Sequence, residues 1–362
     1  MYFITNSLDK GTSQYKDINH LYRIKSFGSF SFLGSIIGII GETKNIESII
    51  RSNKEPDEKN AIIVTAGSYL SDVLAAFITC NRLNMRAVIH LHHLSPPPWL
   101  YPLRRGGLIR STAKWILLQL ALALVKIGGM LPCIDQPVEI FDSGWKFGVG
   151  VLNDDAFLTQ DAEDIVCAPS KRYDACFIGR ISQPKGVCDL LRAWKIVTRH
   201  LPNAKLVMAG RLYSSRLAKK LFRYVDKFKL EKNVVFLPRH VDEAEKRSIL
   251  LESKLFVFPS YEEGWSLSVM EAVSQGVLPV TYDIHAYDYL GPNAVKVPLG
   301  DWRGLAIAVT NLIQNEEERI SLTMDLKNRI TKFKLKDIAK GQLLRYMEFV
   351  ENGRIYYSKP RK

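Results

Sequence analysis

Short apolar runs recur along this 362-residue chain, and between them lie stretches whose apolar side chains return at three- or four-residue spacing. The first pattern suits strands buried on both faces, and the second suits amphipathic helices packed over them. Strands are expected over residues 1–6, 61–65, 86–92, 173–179, 204–210, 233–237, 255–258 and 276–281. Helices are expected over residues 71–83, with Ser71 as N-cap, and over 187–200, 215–228 and 242–251. Residues 301–350 read as helical with a break near Lys334, and residues 39–50 suit either state. In the 187–200 helix, Val187, Leu190, Leu191, Trp194 and Val197 share the face that packs on a sheet. Ser95-Pro96-Pro97-Pro98-Trp99 must be a loop, because neither a helix interior nor a central strand accepts that proline run. Alternation of strand and helix from end to end predicts an α/β fold with parallel sheets.

The length allows two domains with separate cores. The boundary falls in residues 153–172, an acidic stretch with Asp154, Asp155, Asp161, Glu163 and Asp164 that ends at Pro169-Ser170. This gives an N-terminal domain over 1–160 and a C-terminal one over 165–335. Apolar content of 47% and charged content of 24% indicate a globular chain rather than a disordered one. The five cysteines are scattered without a Cys-x-x-Cys pair, which points to a reducing compartment and away from a disulfide frame or structural metal. The first residues carry no charged leader, so they read as a strand and not as a secretion signal, and a cytoplasmic address is expected.

The net charge of +13 is unevenly placed. Residues 73–134 hold no Asp or Glu but seven Lys or Arg: Arg82, Arg86, Arg104, Arg105, Arg110, Lys114 and Lys126. A second basic cluster covers 327–340, and Lys359, Arg361 and Lys362 close the chain. The apolar run 115–125 lies inside the acid-free window and is shorter than the ~20 residues a bilayer crossing requires. An apolar helix with basic flanks suits an anionic membrane surface better than a nucleic-acid groove. Burial in the core of the N-terminal domain is the competing reading.

Two segments carry candidate chemistry. In Ser260-Tyr261-Glu262-Glu263-Gly264-Trp265-Ser266-Leu267-Ser268-Val269-Met270-Glu271-Ala272, two carboxylates, Glu263 and Glu271, flank a glycine turn and a helix start. The apolar run before it places this turn at a strand end, where free amides of a helix start favour an anion. Carboxylates beside an anion site bind hydroxyls rather than phosphate, which suggests a sugar phosphate or nucleotide sugar. In Gly179-Arg180-Ile181-Ser182-Gln183-Pro184-Lys185-Gly186, a guanidinium and an ammonium sit between a strand end and a helix start, suited to a diphosphate. A single Glu, or an Arg and Lys five apart, is most often a solvated surface charge, and the weight lies in the two motifs together.

The first segment closely resembles the donor-site signature of family 4 glycosyltransferases, Glu-Gly-Phe-Gly-Leu followed by Glu-Ala, with Trp265 for the Phe and Ser266 for the second Gly. The second resembles that family's Gly-Arg…Lys-Gly motif. Residues 233–238 and 276–280 are similar to its base-contacting segment and its Gly-x-Pro-Val strand. The resemblance implies a GT-B architecture: two Rossmann-like domains with parallel sheets facing a cleft. It also implies a final helix, over 336–350, that returns with the 336–362 tail to the N-terminal domain.

On the same resemblance Glu271 grips ribose hydroxyls, Glu263 faces the transferred sugar, and Arg180 and Lys185 hold the pyrophosphate. Gly179, Gly210, Leu237, Pro238, Gly264, Trp265, Ser266 and Leu267 complete the donor site. His93, with His92 as the alternative, corresponds to the family's histidine beside the reacting sugar. Gly11, Thr12, His92 and Trp99 fall on the acceptor side. Gly11 and Thr12 stand in a loop with one glycine where the family has two.

The implied activity is retaining transfer of a hexose from a UDP- or GDP-sugar to a hydroxyl of a glycan or lipid-linked saccharide. No cofactor is expected beyond that substrate. No metal is expected either: there is no Asp-x-Asp motif, and His90 and His92 share a strand face that His93 does not. The expected partners are the nucleotide sugar, the acceptor and an anionic membrane, with no nucleic acid. The competing functions are a non-catalytic nucleotide-sugar-binding subunit and a GT-B phosphorylase or epimerase.

Overall fold

The computed structural model describes residues 2–5, 20–23, 44, 62–65, 70–91, 108–134, 171–263 and 266–330. The chain divides into two units, Met1–Val151 together with Lys336–Lys362, and Leu152–Leu335. The expected returning helix over 336–350 lies outside the described residues, as do residues 39–50 apart from Lys44, the proline loop and most of the acidic boundary segment.

In the first unit, β1 (Tyr2–Thr5) pairs in parallel with β2 (His20–Arg23). A second parallel set has the order β3 (Ile62–Thr65), β4 (Arg86–Leu91), β5 (Leu131–Ile134). Helix α1 spans Leu70–Leu83 and α2 spans Leu108–Ile127. Because α1 begins at Leu70, Ser71 lies inside the helix and is not its N-cap, a correction to the sequence expectation. The core of this unit joins Ile63 and Ile89 from the strands to Val73 and Ala76 of α1 and Leu118, Ala121 and Val125 of α2. Gly129 ends α2 with a left-handed backbone, φ 58°, where a glycine stop is favoured.

The second unit holds one six-stranded parallel sheet. Its strands are β6 (Tyr173–Ile178), β7 (Leu206–Ala209), β8 (Val234–Leu237), β9 (Ser253–Phe258), β10 (Leu278–Tyr282) and β11 (Val295–Val297). Their spatial order is β11-β10-β9-β6-β7-β8. The chain therefore starts in the middle of the sheet, builds outward through β7 and β8, then returns to the other side of β6 with β9. This doubly wound order has its switch point between β6 and β9, and such sheets bind ligands beyond the strand ends at that point.

The helices of this unit are α3 (Val187–His200), α4 (Ser215–Phe228), α5 (Glu243–Leu251), α6 (Leu267–Ser274), α7 (Trp302–Gln314) and α8 (Glu316–Ile330). The five residues expected on the packing face of α3 are all buried. Ser214 and Asp242 cap α4 and α5 by accepting from the amides of Leu217 and Glu245, the cap geometry that satisfies free N–H groups of a first turn. The break in the C-terminal helical region falls at Asn315, whose extended backbone ends α7 and whose side chain accepts from the amide of Glu318 at 3.1 Å. The position near Lys334, where the break was expected, lies outside the described residues. Phe177, Phe256 and Phe258 stack in the sheet centre with ring centroids 5.3 Å apart, placing rigid aromatic mass directly below the switch point.

Candidate functional site

The strand ends on either side of the switch point are bound to one another through backbone. The turn after β6 contains a single 3₁₀ turn, Gln183–Lys185, and Gly186 follows with φ 70°. A Cβ at Gly186 would stand 1.8 Å from the carbonyl oxygen of Pro259, so only glycine lets the two loops approach so closely. The amide of Tyr261 donates to the carbonyl of Pro184 at 2.8 Å. Below this join, the buried Asp189 in the first turn of α3 accepts from the hydroxyls of Tyr261 and, at 3.0 Å, Tyr282. A carboxylate there also meets the favourable end of the helix dipole. Burial, followed by that negative charge, pushes the Tyr282 phenol far above its ordinary range, so it stays a donor to Asp189.

This join carries Lys185 and Glu263 to one place. Lys185 Nζ donates to Glu263 Oε1, and the two side chains keep only 15% and 8% of their surface exposed. The ammonium also lies over the Phe258 ring, 5.5 Å from its centroid. One of its three N–H groups serves Glu263, which leaves others for a further acceptor. Arg180, one residue past Gly179, is exposed, with no hydrogen bond or ion pair among the described residues. Gly179, Gly210 and Leu237 end adjacent strands in one layer: Gly179 N–H donates to Ala209, and Gly210 N–H donates to Leu237, both at 3.1 Å. Arg211 follows Gly210 directly and Arg239 lies two residues past Leu237, and both are exposed, so the loops after β6, β7 and β8 each bring an arginine to this edge.

Glu271 sits in the second turn of α6, with 12% of its side chain exposed. Lys246 of α5 holds it at 2.7 Å and holds Glu243 at 2.6 Å. Burial alone would lower the Lys246 pKa, but its bonds to Glu243 and Glu271 outweigh that and keep it above the ordinary value. Sequence reasoning did not single out Lys246. A signal was present, because Lys246, Ile249 and Leu250 share one helix face and the latter two are buried.

A second group missed in the sequence stands beside Glu263. The 3₁₀ segment His285–Leu290 supplies Tyr287 and Tyr289, both buried. Burial, and next the charge of Glu263, raise both phenols well above their usual range. Ser266, left-handed at φ 50°, precedes α6. Its hydroxyl is near enough to Tyr287 to ease that shift, yet neither group is in hydrogen-bonding geometry, and Ser266 Oγ and Tyr287 OH are buried without a partner among the described residues. Buried hydroxyls left this way cost stability unless a ligand or water completes them. Of the remaining expected site residues, Pro238 follows β8 and Leu267 opens α6. Gly11, Thr12, His92, His93, Trp99, Gly264 and Trp265 lie outside the described residues.

Solved structures similar to this chain give the class of fold. HepE of Anabaena, in complex with UDP and glucose, aligns with a TM-score of 0.67 at 14% identity, over 96% of this chain and 91% of that one. A TarM variant of S. aureus, in complex with fondaparinux, alpha-GlcNAc-glycerol and UDP, aligns with a TM-score of 0.65 at 16% identity, over 85% of this chain and 59% of that one. The fold is GT-B, α/β with parallel sheets.

Sequence similarity is narrower and more specific. Residues 160–329 match the family of glycosyl transferases group 1. The chain is 34% identical over 125 residues to the poly(glycerol-phosphate) alpha-glucosyltransferase of Bacillus subtilis, 34% of this chain and 17% of that protein. It is 27% identical over 158 residues to the capsular polysaccharide biosynthesis glycosyltransferase CapM of Staphylococcus aureus, 42% of this chain and 40% of that protein. The matched part is therefore less than half the length of either curated relative.

Proposed function

We propose that the protein is a retaining glycosyltransferase of the family 4 type, which moves a hexose from a UDP- or GDP-sugar to a hydroxyl of a glycan or lipid-linked saccharide. The observation that carries this reading is the meeting of Lys185 and Glu263 across the β6/β9 switch point. A cation for phosphate and a carboxylate for sugar hydroxyls are then neighbours, within the region that matches group 1 glycosyl transferases. The complexes of similar folds with UDP and with glucose favour the same ligand chemistry.

In this reading the diphosphate lies over the loop after β6, against Arg180 and Lys185. Glu271, held in place by Lys246, meets the ribose hydroxyls. Glu263 faces the hexose, and the hydroxyls of Ser266 and Tyr287, without a partner among the described residues, take up further sugar oxygens. As the bond from the anomeric carbon to the phosphate oxygen breaks, negative charge grows on the departing diphosphate. The acceptor oxygen bonds to the same face, and its proton passes to the leaving phosphate oxygen. Fixed cations at that oxygen each contribute about 3 kcal/mol, roughly a hundredfold in rate. Arg180 and Lys185 supply this charge, so the reaction proceeds without a divalent metal, and chelator leaves the rate unchanged. His93 acts beside the reacting sugar. The enzyme works in the cytoplasm, at an anionic membrane surface.

The test is turnover. Incubated with a panel of UDP- and GDP-sugars, the protein releases nucleoside diphosphate from at least one. Arg180→Ala lowers that rate about a hundredfold, whereas Glu262→Ala leaves it nearly intact. Equal effects of the two substitutions would show that the phosphate site is elsewhere.

A further inference from the structure

The two carboxylates of the candidate site are matched by two lysines. Glu263, after β9, is held by Lys185 from the loop after β6, and Glu271, in the second turn of α6, is held by Lys246 of α5. The first lysine belongs to the motif that marks the phosphate end of the proposed donor site. The second comes from an element in which no site residue was expected. Helix α5 packs against β6 and β9, the strands on either side of the switch point, and α6 packs against β9 and β10. The pair therefore ties together two helices that are 25 positions apart in sequence and flank one strand.

Lys246 is itself fixed at a second point. Its Nζ stands 2.7 Å from Glu271 Oε1 and 2.6 Å from Glu243 Oε2, and Glu243 is exposed one turn earlier on α5. A flexible four-carbon stem is thus confined by two charged partners. Withdrawing two charges from water is a poor way to join helices, because apolar side chains of the same volume serve as well or better. The arrangement is explained when position 271 needs a carboxylate for another purpose. Left alone, that carboxylate would lose hydration and would repel a diphosphate bound nearby. Lys246 offsets both effects and limits the orientations the carboxylate can take.

We infer that Lys246 is the positioning residue for ribose recognition: it holds Glu271 in the orientation that meets the ribose hydroxyls before the nucleotide arrives. The inference rests on the proposed donor site and adds the group that makes its carboxylate selective for a ribonucleotide.

The experiment is titration of UDP, GDP and their 2′-deoxy counterparts into the unaltered protein and its variants, read as the ratio of deoxy to ribose Kd. The unaltered protein should prefer the ribose form about tenfold or more. Lys246→Met should cut that preference to about twofold or less, chiefly by weakening the ribonucleotide, as should Glu271→Gln. Lys246→Gln, which keeps an N–H donor without the charge, is measured alongside and should also lower it. Combining Lys246→Met with Glu271→Gln should cost no more than either alone, because the two act as one unit. Lys246→Arg, which can still pair with the carboxylate, should retain most of the preference. Lys254→Met breaks another ion pair of this unit, to Asp174 at 2.7 Å, at the opposite ends of β6 and β9. It should lower stability and leave the ratio unchanged.

A preference lost in Glu271→Gln but intact in Lys246→Met or Lys246→Gln would overturn the inference and leave the donor site standing. Equal weakening of ribose and deoxy forms by the Lys246 substitutions, in step with lost stability, would also overturn it. No binding of any of the four nucleotides by the unaltered protein would overturn the donor site with it, and a preference that is absent there or survives Glu271→Gln would overturn the ribose role of Glu271 as well.

Discussion

Ser266 shows how a single backbone conformation marks the site. It stands at φ 50° immediately before α6, where a side chain crowds the following carbonyl. Ser266→Gly is expected to stabilise the protein by about 1 kcal/mol, as read by urea denaturation. The same change removes a buried hydroxyl from the proposed sugar contacts, so donor affinity should fall while stability rises. Opposite signs in the two measurements are the signature of strain retained for binding. The charged motif residues were legible in the sequence because their spacing around a strand end and a helix start is itself the signal. The partners of those residues were not. Lys246 meets Glu271 from 25 positions away, and a 3₁₀ segment brings Tyr287 and Tyr289 within the influence of the Glu263 charge. Such meetings depend on the strand order of the sheet, which no local pattern contains.

At the scale of elements, the join between the loops after β6 and β9 is the feature on which the site depends. Gly186→Ala would place a Cβ 1.8 Å from the Pro259 carbonyl oxygen, and backbone on that side has little freedom to retreat. The variant should lose about 2 kcal/mol or more of stability and most of its donor binding, measured by denaturation and by titration with UDP and GDP. Unchanged binding would mean that the two loops are not one site. Helices α3 and α4 were legible to the residue, over 187–200 and 215–228, and for α3 an apolar stripe defined the packing face. Three short strands were not. β5 contains Pro132 and lies at the end of its described sheet, where a strand tolerates a missing N–H. β11 has three residues with Lys296 in the middle, and β2 begins with a histidine and ends with an arginine, so neither shows a continuous apolar run. The α7–α8 break at Asn315 was readable in principle, since Asn followed three residues later by Glu is a helix-start signal.

For the molecule as a whole, buried thiols set a limit at alkaline pH. Burial pushes Cys80 and Cys176 from an ordinary 9.0 up to about 12. Both thiols stay protonated in the folded state where the unfolded chain would ionise them. Their contribution is complete below pH 9.0 and is lost as pH climbs from 9.0 towards about 12. Denaturation midpoints should therefore hold steady up to about pH 8 and decline beyond it, and iodoacetamide should label these cysteines only after unfolding.

On the proposed reading, the charge distribution sets where the molecule sits, and the switch point of the second unit sets what it binds. That second statement is the central one. Its most direct test is calorimetric titration of UDP and GDP into the unaltered protein, Arg180→Ala and Glu271→Gln. The expected outcome is saturable binding of one nucleotide by the unaltered protein, weakened about tenfold or more by each substitution. Absence of binding by either nucleotide, or equal affinity in all three proteins, would contradict a donor site at this edge of the sheet.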